Sequence, residues 1–184
     1  MEHDQIKLAY GVAYTSNVNG YIGAILITDY KGFPQEFRYT DPIVPTKIQQ
    51  VLYGEGLEKY VKVDVVIDSL IKVLSNKIPI LLVQDEDILE YKCDSTTIIR
   101  VSSTKLSPLP NIGDLSEVKK NEYLLQLSHA NTPVRLQFSQ DYNCEGEGFN
   151  SIIESLSEAG NFMDIYEPVD RVYKTLELIC NQEV

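Results

Sequence analysis

From residue 6 to residue 14 the side chains alternate, with Ile6, Leu8, Tyr10, Val12 and Tyr14 on one face and Ala9, Gly11 and Ala13 on the other. A period of two is the mark of a β-strand. Small residues where a half-solvated strand would carry polar ones imply close approach by another element on that side. Residues 17–20 supply a turn, residues 21–28 read as the returning strand, and a second turn around Lys31-Gly32 leads to residues 36–40, where Phe37 and Tyr39 alternate with polar neighbours. The chain thus opens with a three-stranded antiparallel meander whose third strand is half exposed.

Pro42 and Pro45 end the meander, and Pro45-Thr46 opens a short helix running to Tyr53, with Gly54 positioned to stop it. A longer helix over residues 57–74 carries the apolar stripe Tyr60, Val63, Ile67, Leu70 and Leu74. Glu58 with Lys62 and Asp68 with Lys72 sit four apart as solvent-facing pairs. Residues 78–83 are apolar on both faces and read as a central strand; residues 85–89 make a turn or one helical turn, and residues 96–101 another strand. Residues 102–121, with Pro108 and Pro110, read as a surface loop. A hairpin of residues 123–128 and 134–139 follows, then two helices over residues 150–159 and 168–180. The expected fold is α+β: a mainly antiparallel sheet that begins with the amino-terminal meander, covered by a central helix and two carboxyl-terminal helices, in a single domain over residues 1–184.

Composition narrows the function classes. An apolar share of 43% with 23% charged residues suits a globular chain that folds alone. The longest nearly apolar run, residues 78–83, is far short of the roughly 20 residues of a membrane span, and residues 1–7 are too polar to begin a secretory signal. Cys93, Cys144 and Cys180 are odd in number and widely separated, which argues against a disulfide framework; the expected setting is the cytoplasm, with no membrane partner. The net charge of −11 is uneven: residues 140–184 hold ten acids against two bases (−8), and the first 139 hold 17 acids against 14 bases (−3). A negative field repels phosphate and favours basic partners, so direct nucleic-acid binding is not expected.

The inventory for chemistry is thin. Of two histidines, His3 is near the terminus and His129 lies at the hairpin loop, where a solvated ring is the plain reading; Cys144 has an acidic neighbour, Glu145, which opposes a thiolate. No zinc or calcium spacing is present, and Gly54-x-Gly56 and Gly146-x-Gly148 lack the rest of a phosphate loop, so no cofactor and no resident metal are expected. Asp64 and Asp68 share a helix row, but Lys72 continues it as a charge pair. The tightest acid cluster is Asp85, Glu86, Asp87 and Glu90 at the end of the central strand. Glu90-Tyr91-Lys92 resembles the acid-x-lysine element of metal-dependent nucleases, although folds of that kind separate the first acid from this element by a full strand and Asp85 is only five residues away.

Twelve tyrosines and no tryptophan suit either a contact surface or core edges with the hydroxyl outward. The first functional expectation is a non-catalytic accessory subunit. It would dock on a larger protein, basic or nucleic-acid-handling, through an acidic, Tyr-containing surface including Tyr142, Glu145, Glu147 and Tyr166. The alternative is a metal-dependent hydrolase or nuclease using Asp85, Asp87, Glu90 and Lys92, which requires those side chains to converge. A third reading is an acidic mimic of nucleic acid built from the carboxyl-terminal carboxylates.

Overall fold

Apolar on both faces, β1 (Lys7–Ser16) lies inside an eight-stranded sheet, between antiparallel β2 (Gly20–Asp29) and parallel β4 (Ile80–Val83). The computed structural model describes residues 7–16 and 20–181; His3, the strand start at Ile6 and turn positions 17–19 lie outside the described residues. β3 (Pro34–Tyr39) pairs with β2 and completes the meander. β5 (Thr97–Ser102) runs parallel to β4, and β8 (Val134–Phe138), β7 (Glu122–Leu125) and β6 (Leu115–Lys119) follow in antiparallel pairing. The order β3-β2-β1-β4-β5-β8-β7-β6 is therefore mostly antiparallel around a parallel centre.

Helices cover the two faces unequally. On the first face, α5 (Glu147–Ala159) and α6 (Glu167–Cys180) bring Phe149, Ile152, Leu156, Val169, Val172 and Leu176 against Leu8, Tyr10, Val12, Leu82, Val101 and Leu136. On the second face lies the central helix, made of α2 (Leu57–Tyr60), a π-helical segment Val61–Ile67 and α3 (Asp68–Val73). It seats Val61, Val66, Ile67 and Leu70 on Ala9, Ala13, Ile25, Ile27 and Leu81. The small residues make this seat possible: a Cβ on Gly23 would run into the Val66 side chain and the Val12 carbonyl. β5 contributes only Ile98 to this second core, and no described residue of β6, β7 or β8 belongs to it. The sheet is thus a sandwich filling on one half and an open face on the other.

Several local features follow from capping. Before α1 (Lys47–Tyr53), the Thr46 hydroxyl accepts from the Gln49 N–H at 3.2 Å, the Gln49 side chain accepts from the Thr46 N–H at 2.9 Å, and Gly54 stops the helix at φ 51°. Two expectations need correction. The stretch 102–121 is not all loop, because Leu115–Lys119 forms β6; it is a short edge strand with almost every side chain exposed, and carries no apolar alternation to reveal it. The helix of residues 57–74 is not uniformly α either, since its wider π turns bury Val61 and Val66 as well as the expected Val63, Ile67 and Leu70. Among the described residues no helix is long and apolar enough to cross a membrane.

Candidate nucleic-acid interface

The three parallel strands β1, β4 and β5 all end at the same edge of the sheet, the location where open α/β sheets gather their ligands. Asp85 stands just beyond β4 and caps α4 (Glu86–Leu89), accepting from the Asp87 N–H at 2.9 Å. Its carboxylate also accepts from the Lys62 ammonium at 3.0 Å, and Lys62 lies 2.6 Å from Glu58. Burial pulls the Lys62 pKa down, but Glu58 and Asp85 more than reverse it, so the ammonium is held above its usual range. Tyr173 of α6 lies within the field of both Asp85 and Lys62, its phenol raised chiefly by burial.

Beside this edge lies the open sheet face. Arg100 on β5 is opposite Gln137 on β8, Ser102 is opposite Arg135, and Glu122 on β7 is opposite Gln137. The Arg100 guanidinium donates to the Gln84 carbonyl at 2.8 Å and to the Gln137 side chain at 2.5 Å, and comes within 4.0 Å of Glu86. Glu122, only 3% exposed, accepts from Gln137 at 2.9 Å and pairs with Arg135 at 3.1 Å and Lys119 at 3.2 Å. Burial alone would raise this carboxyl; Lys119, Gln137 and Arg135 keep it below its usual range. A recess of about 460 Å³ opens here, and Arg100, Ser103, Thr104, Lys105, Arg135 and Gln137 are among the residues that line it. Cations and hydroxyls spread over 36 residues of sequence thereby share one concavity.

The residues singled out from the sequence are dispersed. Asp87 follows Asp85 on α4, Glu90 is bound to Lys59, and Lys92 pairs with Asp141 at 2.6 Å, near the start of β5 and so at the opposite edge of the sheet from Asp85. Among the described residues no three Asp, Glu, His or Cys side chains converge to hold a metal. Tyr142 stacks on Phe138 with ring centres 5.0 Å apart, and it and Tyr166 pack against the first core, while Glu145 and Glu147 are exposed. The His129 ring approaches the Asn161 carbonyl at 3.1 Å, and Cys144 donates to Asn121 at 3.6 Å with its thiol raised by burial. The sequence reasoning missed Arg100, Arg135 and Lys62. A local count carried a signal, since residues 100–135 hold five bases against three acids in an otherwise acidic chain.

No family model and no curated protein matches the sequence. The fold resembles that of human endonuclease V. That likeness has a TM-score of 0.50 at 10% identity and covers 97% of this chain and 86% of the human one. Endonuclease V of Ciona intestinalis, in complex with a 23mer DNA containing an inosine, matches at a TM-score of 0.49 and 10% identity over 97% of this chain and 87% of its own. Marinitoga piezophila Argonaute, with guide RNA and target DNA, matches at 0.44 and 13% identity over 83% of this chain but only 26% of its own.

Two expectations are overturned. A non-catalytic accessory subunit docking through a Tyr-containing acidic surface gives way to a nuclease-like architecture, and Tyr142 and Tyr166 of the supposed docking surface are packed on the core. The exclusion of direct nucleic-acid contact fails as well. Net charge averaged over the chain conceals a recess on one sheet face that is lined by Arg100, Lys105 and Arg135, so the repulsion on which the exclusion rested does not hold there.

Proposed function

We propose that this chain handles nucleic acid, holding the sugar–phosphate backbone in the recess of the open sheet face and leading it toward the strand ends where Asp85 stands. One observation carries the reading: in a chain of net charge −11, Arg100, Lys105 and Arg135 converge with Ser102, Ser103 and Thr104 on a single concavity. Guanidinium forks, an ammonium and hydroxyls are the groups that bind phosphate oxygens. The residues lining the recess include no aromatic ring, which favours backbone contact over base stacking. Three cysteines, odd in number and widely separated in the sequence, suit a reducing compartment such as the cytoplasm.

The fold resemblance supports phosphodiester hydrolysis, the second expectation from the sequence, as the accompanying chemistry. Nucleases commonly stabilise the attacking and leaving oxygens with divalent ions, and a hard ion asks for about six oxygen ligands. The side chains do not fit such an ion as they stand. Asp85 and Glu58 are both engaged by Lys62, β1 carries no acid along Lys7–Ser16, and Glu90 and Lys92 are held by other partners.

Binding is tested by fluorescence anisotropy of labelled single-stranded and duplex oligonucleotides over a salt series. Affinity should fall with salt, and Arg100→Ala/Arg135→Ala should flatten the logarithmic slope by about two, one per lost phosphate contact. Wild-type protein that shows no salt-dependent binding defeats the proposal. The carboxylates are tested separately by tyrosine-sensitised terbium emission. Lys62→Ala should gain an emission signal that adding Asp85→Asn removes, and an unchanged signal would exclude Asp85 and Glu58 as an ion-binding pair.

A further inference from the structure

Building on the nucleic-acid reading above, on which this rests, we infer that Glu122 is a positioning residue of the recess: it holds Arg135 directly and Arg100 through Gln137, so that both guanidinium groups are oriented before a phosphate backbone arrives. Glu122, Gln137 and Arg100 form one cross-strand row over β7, β8 and β5 on the open face. The Glu122 Oε1 pairs with Arg135 at 3.1 Å, and its Oε2 pairs with Lys119 at 3.2 Å and accepts from the Gln137 amide at 2.9 Å. The Oε1 of that amide accepts from Arg100 Nη1 at 2.5 Å, while Arg100 Nε donates to the Gln84 carbonyl at 2.8 Å. An ionised carboxylate only accepts and a guanidinium only donates, whereas a glutamine amide does both. Glu122 therefore decides which end of Gln137 faces Arg100. Turned over, Gln137 would offer its NH2 to a group that has no acceptor.

Stability alone does not call for a carboxylate here. Glu122 is almost fully buried, and an ion pair withdrawn from water is often no more stable than apolar residues of the same size. Leu124, two residues along the same strand, shows that an aliphatic side chain is buried at a neighbouring position. What the carboxylate adds is orientation. A free arginine side chain loses rotamer freedom when it grips a ligand, and one already held by the fold loses less. The two guanidinium groups also remain reachable, since Arg135 keeps 37% of its side chain exposed and Arg100 keeps 29%. Positive charge is left over for a ligand, because this one acid faces two cations directly, Arg135 and Lys119.

Fluorescence anisotropy with the same labelled oligonucleotides over a salt series tests the role, because the sign of the effect separates positioning from plain charge. If Glu122 acted only through its charge, Glu122→Gln would remove an acid beside the phosphates and tighten binding. As loss of a positioning residue, Glu122→Gln should instead weaken binding at low salt by roughly tenfold, about the worth of one charge-assisted hydrogen bond, and lower the logarithmic salt slope by about one. In an Arg135→Ala background the same substitution should cost less than about threefold, since most of what it orients is gone, whereas a general loosening of the fold would carry through to both backgrounds. Circular dichroism checks that each variant is folded. Should Glu122→Gln not fold, Gln137→Leu, which cuts the link to Arg100 while Glu122 keeps Arg135, should also weaken binding and lower the slope. Wild-type protein without salt-dependent binding defeats the nucleic-acid reading and this role with it. A wild type that binds, together with a Glu122→Gln that binds as tightly or more tightly, or that loses as much affinity without Arg135 as with it, overturns the positioning role alone.

Discussion

The two halves of the sheet treat their second face in opposite ways. Along β1, β2 and β4 that face is built of Ala9, Ala13, Gly23 and aliphatic residues, and Val61, Val66, Ile67 and Leu70 of the central helix close over it. Along β5, β8 and β7 the same face carries Arg100, Ser102, Arg135, Gln137 and Glu122, and only Ile98 joins the second core. Both halves share the first face, where α5 and α6 complete the main core. One half can therefore spend both faces on stability, while the other keeps one face for solvent or a ligand. The recess and Asp85 lie along the boundary between the two regimes, where Arg100 reaches back to the Gln84 carbonyl and toward Glu86.

The largest expected effect separates the halves by charge. Arg100→Glu/Arg135→Glu should lower oligonucleotide affinity at low salt by roughly a hundredfold, whereas Lys72→Glu, an exposed cation over the covered half, should change it less than about threefold. Equal losses from both would show that binding follows overall charge and not the open face. Next comes packing. Gly23→Ala should cost about 1–3 kcal/mol in denaturant unfolding, because its Cβ meets the Val66 side chain and the Val12 backbone, and Ser102→Ala should stay within roughly 0.5 kcal/mol. A tolerant Gly23 would mean the helix seat is loose.

The smallest effect is a pH dependence at the edge of the covered half. Glu36 accepts from the Ser75 N–H at 3.0 Å, from Asn76 at 3.2 and 2.8 Å, and from Arg38 at 2.9 Å, and these bonds, Ser75 foremost, hold its pKa at about 2 against an ordinary 4.5. A carboxyl whose folded pKa is depressed adds stability that is complete above its unfolded value and is lost as pH falls through the folded one. Wild type should thus lose this contribution between pH 4.5 and about 2. Glu36→Gln should be less stable by about 1–2 kcal/mol at neutral pH and lack that part of the acid dependence, read from unfolding midpoints across pH.

Local signals were legible where one stretch of chain decides the outcome. Thr46 and Gly54 bound α1, Pro168 opens α6, and Glu58–Lys62 and Asp68–Lys72 pair as expected, although Lys62 is largely buried and not solvent-facing. β6 escaped because an exposed edge strand has no buried face to impose alternation, and the π turns escaped because Val61 and Val66 fit an apolar helix in either phase. The candidate site was harder. Asp85 stood out as an acid at a strand end, but its engagement by Lys62 spans 23 residues, and Arg100 and Arg135 meet only because β8 crosses back beside β5.

By itself the sequence determined the α+β class, the opening meander, most helix ends and the small-residue seat of the central helix, since each depends on periodicity or on caps within a few residues. Only the tertiary structure decided the strand order, which half of the sheet stays uncovered, and the gathering of scattered bases into one recess of an acidic molecule. Electrostatic attraction depends on distance in space, and sheet pairing sets those distances between residues that composition can only add together.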